Sequence, residues 1–130
     1  MSGAAKARRV LALLLLGVSG TLAAHSIMDF DDWMQRIDDS SQELQRHIDG
    51  RKRDAAVDTA KEIEQIYGQM EEYFAKRADS ADAVRISREG KLLAAQVQKD
   101  LAGQRFGAAK AKAIEIAHGC RGCHINYKPL

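Results

Sequence analysis

The residues of this chain with the most specific chemical pattern are Cys120 and Cys123, followed directly by His124. The pattern Cys-x-x-Cys-His is the attachment signal for a c-type haem. In such a site each thiol adds across a vinyl group of the porphyrin, and the histidine binds the iron as proximal ligand. On a helix, Cys120 and His124 lie one turn apart with Cys123 as a neighbour, so all three can face one macrocycle. The motif predicts covalent haem c.

A cysteine pair of this spacing also occurs in zinc sites, in redox-active sites and as a simple disulfide. A structural zinc site needs four ligands. The chain has only two cysteines, and His118 alone is a poor fourth ligand. A thioredoxin-like redox pair is found between a strand and a helix, and the sequence lacks that context. The disulfide remains the third alternative, and haem c is the favoured interpretation.

The first 24 residues have the pattern of a secretory signal peptide. Lys6, Arg8 and Arg9 form a basic region, residues 10–18 are apolar apart from Gly17, and small residues follow. The apolar stretch is shorter than the roughly 18 to 20 residues that a spanning helix needs. We predict cleavage after Ala23 or Ala24 and a periplasmic location, which agrees with haem c because this haem is attached outside the cytoplasm in bacteria.

Removal of the signal peptide changes the charge of the chain. The first 24 of the 130 residues contain three of the 20 basic residues and none of the 18 acidic ones, so the net charge falls from +2 to −1. A net charge of −1 gives no electrostatic attraction to nucleic acid. The remaining 106 residues are enough for one domain with one core.

The mature chain, residues 25–130, reads as helix almost throughout. Its only proline is Pro129, and it is rich in helix-forming residues. Core positions recur at helical steps of three and four in four segments. The first comprises Ile27, Phe30, Met34, Ile37, Ser41, Leu44 and Ile48; the second Ala56, Ala60, Ile63, Tyr67, Met70 and Phe74; the third Ala83, Ile86, Gly90, Leu93, Val97 and Leu101; the fourth Ala109, Ala113, Ile116, Cys120, Cys123 and Tyr127.

The breaks between these segments predict short turns. Gly50 is a helix stop, and Asp54 is a candidate cap for the second segment. A break follows at Asp79 and Ser80, and Gly103 and Gly107 bracket the last turn. Four helices of about 20 residues with short connections favour an antiparallel up-down-up-down four-helix bundle. The predicted fold class is therefore all-α, with one domain over residues 25–130.

The helix count and the position of the haem motif resemble the cytochrome c-prime family, the class II c-type cytochromes. Residues 119–127, Gly-Cys-Arg-Gly-Cys-His-Ile-Asn-Tyr, carry the sharpest likeness, since an aromatic residue soon after the histidine is common there. The resemblance implies a four-helix bundle with its haem on the last helix. Class I cytochromes have a methionine ligand far downstream of the motif, whereas six residues without methionine follow His124 here.

A sixth iron ligand is then expected upstream, near the start of the first helix. His47 is at the far end of that helix, roughly 20 to 30 Å away, His25 is at the new N-terminus, and His118 shares the helix of His124. Methionines remain. The low-spin branch of the resembled family takes its ligand from the early first helix, and Met34 fits that position. The alternatives are Met28, Met70 and an open iron; core filling is the favoured role of Met70.

Two functions are consistent with this prediction. With His124 and Met34 as ligands, the protein is an electron carrier that meets redox partner proteins transiently, and methionine raises the reduction potential. With an open iron, it binds nitric oxide or carbon monoxide, as family members without the methionine are thought to do. An enzyme such as a peroxidase needs distal acid–base residues, and no histidine is placed for that. We expect no stable membrane insertion after cleavage, and a homodimer remains open.

Overall fold

The structure is a computed structural model that describes residues 27–127. It contains four helices: α1 Ile27–Asp49, α2 Arg53–Ala75, α3 Ala81–Ala102 and α4 Phe106–Tyr127. Within residues 27–127 there is no strand. The prediction of an all-α fold with four helices is confirmed. The predicted signal peptide, its cleavage after Ala23 or Ala24, and His25 lie outside the described residues.

Each helix packs against two others. Helix α1 contacts α2 and α4, and α3 contacts the same two helices. The four helices thus surround one shared core, because their apolar stripes all face inwards. No helix in the described part of the chain combines the length and the apolarity that crossing a membrane requires.

The turns between the helices are short and each contains one left-handed residue. Helices α1 and α3 end directly before Gly50 and Gly103, as predicted. The residues with positive φ, however, are Arg51 at 52°, Asp79 at 58° and Gln104 at 57°. The glycine therefore ends the helix, while the left-handed conformation falls on the residue that follows it.

The predicted cap at Asp54 is wrong. Helix α2 begins one residue earlier, at Arg53, and Lys52 precedes it without a side-chain capping hydrogen bond. Asp54 lies in the first turn, where its carboxylate accepts a hydrogen bond from Arg53 at 3.0 Å and suits the positive end of the helix dipole. Similarly, Gly107 lies inside the first turn of α4 rather than in the connection before it.

The predicted core positions of α1, α2 and α4 are largely those that the fold buries. All those in α1 from Phe30 onwards and all those in α2 are buried, as are four of the six in α4; Cys120 and Tyr127 are half-buried. Much of this core is small, since six fully buried positions are alanine: Ala56, Ala60, Ala83, Ala94, Ala109 and Ala113.

The core face of α3 is rotated relative to the prediction. Ile86 and Leu93 are only half-buried, whereas their neighbours Ser87 and Ala94 are fully buried. Small residues of α3 lie against α2, since a Cβ atom added to Gly90 would be 2.5 Å from the Tyr67 ring. The rotation leaves Ile86 and Leu93 beside α4, where they line a surface groove.

Aromatic residues are concentrated at one end of the helices. Phe30 packs edge-on against Phe74 with ring centroids 5.1 Å apart, and Trp33 packs edge-on against Tyr73 at 5.8 Å. Tyr127 of α4 joins this cluster through Phe74, at 5.2 Å. The cluster lies at the end of the molecule that also carries the Cys-x-x-Cys-His motif.

Candidate functional site

The motif residues lie in the last two turns of α4. Cys123 is buried, Cys120 is half-buried and His124 is exposed. Residues three and four positions apart lie on the same side of a helix. On α4 this side is at the edge of the core, so Cys123 lies inside the core and His124 at the surface, with Cys120 between these extremes.

A small cavity joins the motif to two methionines from other helices. It has a volume of about 10 Å³ and is lined by Met34, Ile37, Tyr67, Met70, Cys120, Cys123 and His124. We call it the methionine cavity. Residues from α1, α2 and α4 meet here although they are far apart in the sequence. Met34 and Met70, both candidates from the sequence, are 5% and 1% exposed.

A second space, of about 290 Å³, opens between α1 and α4 at the surface. It is lined by Asp31, Met34, Gln35, Asp38 and His124, and we call it the His124 groove. Met34 and His124 line both this groove and the methionine cavity, whereas Met70 lines only the cavity. Of the two methionines, Met34 is thus the one that lines both of these spaces together with His124.

A third space, the α3–α4 groove, lies beside the motif on the opposite side of Tyr67. It has a volume of about 280 Å³, and its floor includes Gly90, Gly119 and Gly122. A Cβ atom at Gly119 or Gly122 would come no closer than 3.7 Å to Tyr67 or 3.5 Å to Ile86, which are ordinary contacts. The backbone next to the two cysteines is therefore uncrowded.

The environment of the cysteines favours neutral thiols. Both are free in the structure. Burial raises the pKa of Cys123 to about 11, with further contributions from Cys120 and Asp82. Burial also raises the pKa of Cys120, assisted by the negative charge of Asp38. Redox-active cysteine pairs depend on a lowered thiol pKa, so this environment does not suit the thioredoxin-like alternative.

Tyr67 contacts the motif from α2. It is 2% exposed and lines the methionine cavity together with Cys120 and Cys123. Burial, followed by the two nearby cysteines, raises the pKa of the Tyr67 hydroxyl group well above its usual value. The group is thus a hydrogen-bond donor over the whole neutral range.

The other residues considered from the sequence lie apart from the methionine cavity. His47 is in the last turn of α1 and approaches Glu43 at 3.6 Å. His118 is exposed and lines the α3–α4 groove, while Arg121 is exposed on α4. Met28 belongs to α1, but its side chain lies outside the described residues.

Several residues of the site were missed by sequence reasoning. Ile37 lines the methionine cavity, and Gln35 and Asp38 line the His124 groove. Ile37 could have been found, since it lies one turn beyond Met34 on the same stripe. Gln35 and Asp38 carry no such signal, because they look like ordinary surface residues of an amphipathic helix until α4 is packed beside them.

No three His, Cys, Asp or Glu side chains within residues 27–127 are grouped as ligands for a metal ion. Comparison with protein-family models, curated proteins and solved structures found no match.

Proposed function

We propose that this protein is an exported c-type cytochrome that carries single electrons between partner proteins and is not an enzyme. In this proposal Cys120 and Cys123 would bond to haem c, and His124 and Met34 would bind its iron. Residues 1–24 act as the signal peptide, and the mature protein works in the periplasm. Its fold is an antiparallel up-down-up-down bundle of the kind that class II cytochromes have.

The observation that carries the proposal is the shared lining of the methionine cavity. Met34 of α1 borders the same cavity as Cys120, Cys123 and His124 of α4. A thioether and an imidazole are the ligand pair of many electron-transfer haems. The three motif residues are neighbours on α4, and the packing of α1 against α4 adds the thioether of Met34 to them.

Contacts near the helix ends support the antiparallel arrangement. Phe30 at the start of α1 meets Phe74 at the end of α2. Asp49 at the end of α1 pairs with Lys110 at the start of α4, 2.6 Å apart. Tyr127 at the end of α4 donates a hydrogen bond to Asp82 at the start of α3. In all three pairs the start of one helix contacts the end of the other.

The surroundings of the motif suit a large, flat, apolar group. Two thiols and an imidazole occupy adjacent positions on α4, and the glycines beside them leave an uncrowded groove. The methionine cavity itself is small, at about 10 Å³, so its lining must open to admit a porphyrin. Methionine side chains are flexible and adaptable, and Met34 and Met70 are therefore the residues best able to move.

Each residue then has a definite task. When bound, haem supplies an iron that alternates between the ferric and ferrous states. The soft sulfur of Met34 favours the ferrous state and raises the reduction potential. Buried Ile37, Tyr67 and Met70 keep water away from the site. His124 is exposed and lies where a partner can approach closely enough to exchange an electron.

Covalent attachment is tested on protein produced with its signal peptide in a bacterium competent in cytochrome c maturation. We expect mature protein in the periplasm that keeps its haem through acid–acetone extraction and denaturing electrophoresis. The matched control is Cys120→Ala combined with Cys123→Ala, which should lose the haem under the same treatment. Haem that washes out of the wild-type protein would overturn the proposal.

The Met34 assignment is tested by absorption spectra of the oxidised and reduced protein, with and without carbon monoxide. We expect a low-spin iron that binds carbon monoxide slowly, because the methionine must leave first. Met34→Ala should give a high-spin spectrum and speed carbon monoxide binding at least tenfold, which corresponds to a barrier lower by about 1.4 kcal/mol. The control Met70→Ala should remain low-spin. A high-spin wild-type protein at neutral pH would instead favour the gas-binding function.

A further inference from the structure

Tyr67 lies between two of the spaces that surround the motif. Its side chain lines both the methionine cavity and the α3–α4 groove, although it comes from α2. Ile116 and the glycines line only the groove, and Met34 and Met70 do not reach it. The Tyr67 ring is thus the partition between the two spaces on either side of the cysteines.

The position of this ring depends on Gly90 of α3. A Cβ atom added to Gly90 would lie 2.5 Å from two carbon atoms of the Tyr67 ring, far closer than non-bonded carbon atoms approach one another. Other helix glycines differ in this respect: a Cβ atom at Gly68 would meet only the flexible end of Lys91, at 3.8 Å. Gly90 therefore provides the space that holds the ring in place.

The hydroxyl group of Tyr67 is directed at the motif. Its oxygen would lie 3.7 Å from a Cβ atom added at Gly119, and Tyr67 lines the methionine cavity together with Cys120. The thiol of Cys120 donates a hydrogen bond to the carbonyl oxygen of Ile116, at 3.8 Å. A thioether has no hydrogen to donate, so attachment of haem would end this bond and leave a sulfur that can only accept one. Tyr67 would then be the donor to this sulfur.

We propose that Tyr67 is a positioning residue for Cys120, with Gly90 fixing its ring and its hydroxyl group fixing the sulfur by a hydrogen bond. This inference rests on the proposed function, since it concerns a sulfur that carries haem. In the proposed holoprotein this hydrogen bond would draw electron density away from the sulfur, and so from the porphyrin bonded to it. The ferrous state would thereby be stabilised and the reduction potential raised.

The decisive variant is Tyr67→Phe, which removes one oxygen atom and keeps the ring. We expect full covalent haem and an unchanged low-spin spectrum, together with a lower reduction potential than the wild type. The matched control is Tyr73→Phe, because Tyr73 is another buried tyrosine of α2 that packs in the aromatic cluster. Its reduction potential should equal that of the wild type.

The second variant is Gly90→Ala, which displaces the ring. It should lower the potential in the same direction as Tyr67→Phe, and the double variant should show no additional shift, because both changes break the same hydrogen bond. Gly68→Ala is the control for adding a methyl group to a helix glycine and should leave the potential unchanged. Additive shifts in the double variant would contradict the pairing of Gly90 with Tyr67.

The outcomes separate this inference from the proposed function. Wild-type protein without covalent haem overturns both. Wild-type protein with covalent haem, and with a potential that Tyr67→Phe does not lower, overturns the role of Tyr67 and leaves the proposed function intact. A lowered potential in Tyr67→Phe and Gly90→Ala, but in neither control, supports the inference.

Discussion

Two buried serines, Ser87 and Ser80, differ in whether the hydroxyl group has a hydrogen-bond partner. The hydroxyl group of Ser87 is on a fully buried residue and has no hydrogen-bond partner in the described part of the chain. The nearby Ser80 is buried as well, but its hydroxyl group donates to the carbonyl oxygen of Ala78 at 3.3 Å. An unsatisfied buried group lowers stability by about 1 to 3 kcal/mol, so at Ser87 the small size of the side chain matters more than its chemistry.

Replacing Ser87 with alanine should therefore stabilise the protein. The change keeps the small volume that α3 needs and removes the unsatisfied hydroxyl group, for a gain of about 1 kcal/mol. Thermal unfolding should show a melting temperature higher by about 4 to 8 °C. Ser80→Ala is the control and should bring no gain, because it removes a hydrogen bond. A lower melting temperature in Ser87→Ala would mean that this hydroxyl group has a partner.

At the scale of the elements, the turns hold the helices in register at some cost in backbone strain. Each connection uses a left-handed residue that is not glycine, which costs about 1 to 2 kcal/mol for residues with a Cβ atom. Gln104 is the simplest case, because its side chain is exposed while its backbone N–H donates to the carbonyl oxygen of Leu101 at 3.0 Å.

Gln104→Gly should relieve this strain. We expect a stabilisation of about 0.5 to 1 kcal/mol, since part of the relief is offset by the greater freedom of glycine in the unfolded chain. Calorimetric melting at neutral pH measures the change. Gln104→Ala retains the Cβ atom and should give no increase, so an equal rise in both variants would point to the lost side chain and not to the backbone.

The connection between α3 and α4 is also held by charge. Asp100 is 8% exposed and accepts hydrogen bonds from Lys112 at 2.7 Å and from Arg105 at 2.9 Å. The bond from Lys112, followed by that from Arg105, holds the pKa of the Asp100 carboxyl below its ordinary value. A carboxylate with a lowered folded-state pKa stabilises the protein above its unfolded pKa and loses this effect as the pH falls through the folded value.

The effect of Asp100→Asn should accordingly depend on pH. At pH 7 the variant should be less stable than the wild type by about 1 kcal/mol. The difference should be constant down to about pH 4, the ordinary value for an aspartate, and shrink below it as the wild-type carboxylate becomes protonated. Denaturant unfolding of both proteins across this range isolates Asp100, because other titrations are common to the two. A difference that is the same at pH 2.5 and pH 7 would contradict the assignment.

Across the whole molecule, large and small side chains are unevenly distributed in the core. Aromatic rings fill the end of the molecule near the motif, while alanines occupy much of the rest of the core. Small side chains bury little apolar surface, and burial contributes roughly 25 cal/mol per Å². In the proposed holoprotein, haem would add a large apolar surface to this core.

Loss of covalent haem should therefore loosen the entire bundle. We expect the protein with Cys120→Ala and Cys123→Ala to be less helical by circular dichroism and to melt about 10 °C lower or more. In a domain of this size about 1 kcal/mol corresponds to about 4 to 8 °C. Addition of free haem should recover part of the difference through His124 and Met34. Equal spectra and melting temperatures for the two proteins would contradict a core role for the cofactor.

Much of this architecture is encoded locally. The four helices follow from apolar residues at steps of three and four, and Gly50 and Gly103 mark two helix ends, because helix formation depends on residues within a few positions of each other. The candidate residues Cys120, Cys123 and His124 could be named for the same reason, since their chemistry depends on spacing within one turn. The misplaced cap at Asp54 shows the limit, as helix ends shift by a residue when neighbouring side chains compete.

The features that join residues from different helices were decided by how the helices pack. Met34 and Met70 were both candidates along the chain, and only the packing of α1 against α4 distinguishes Met34, which lines the His124 groove whereas Met70 does not. Tyr67, Gly90 and Cys120 come together from three helices, and the rotation of α3 leaves Leu93 half-buried beside α4. The periodicity of apolar residues predicts the buried face of each helix to within about one residue. The rotation of a helix about its axis, and its distance from its neighbours, depend on how side chains from different helices fit together.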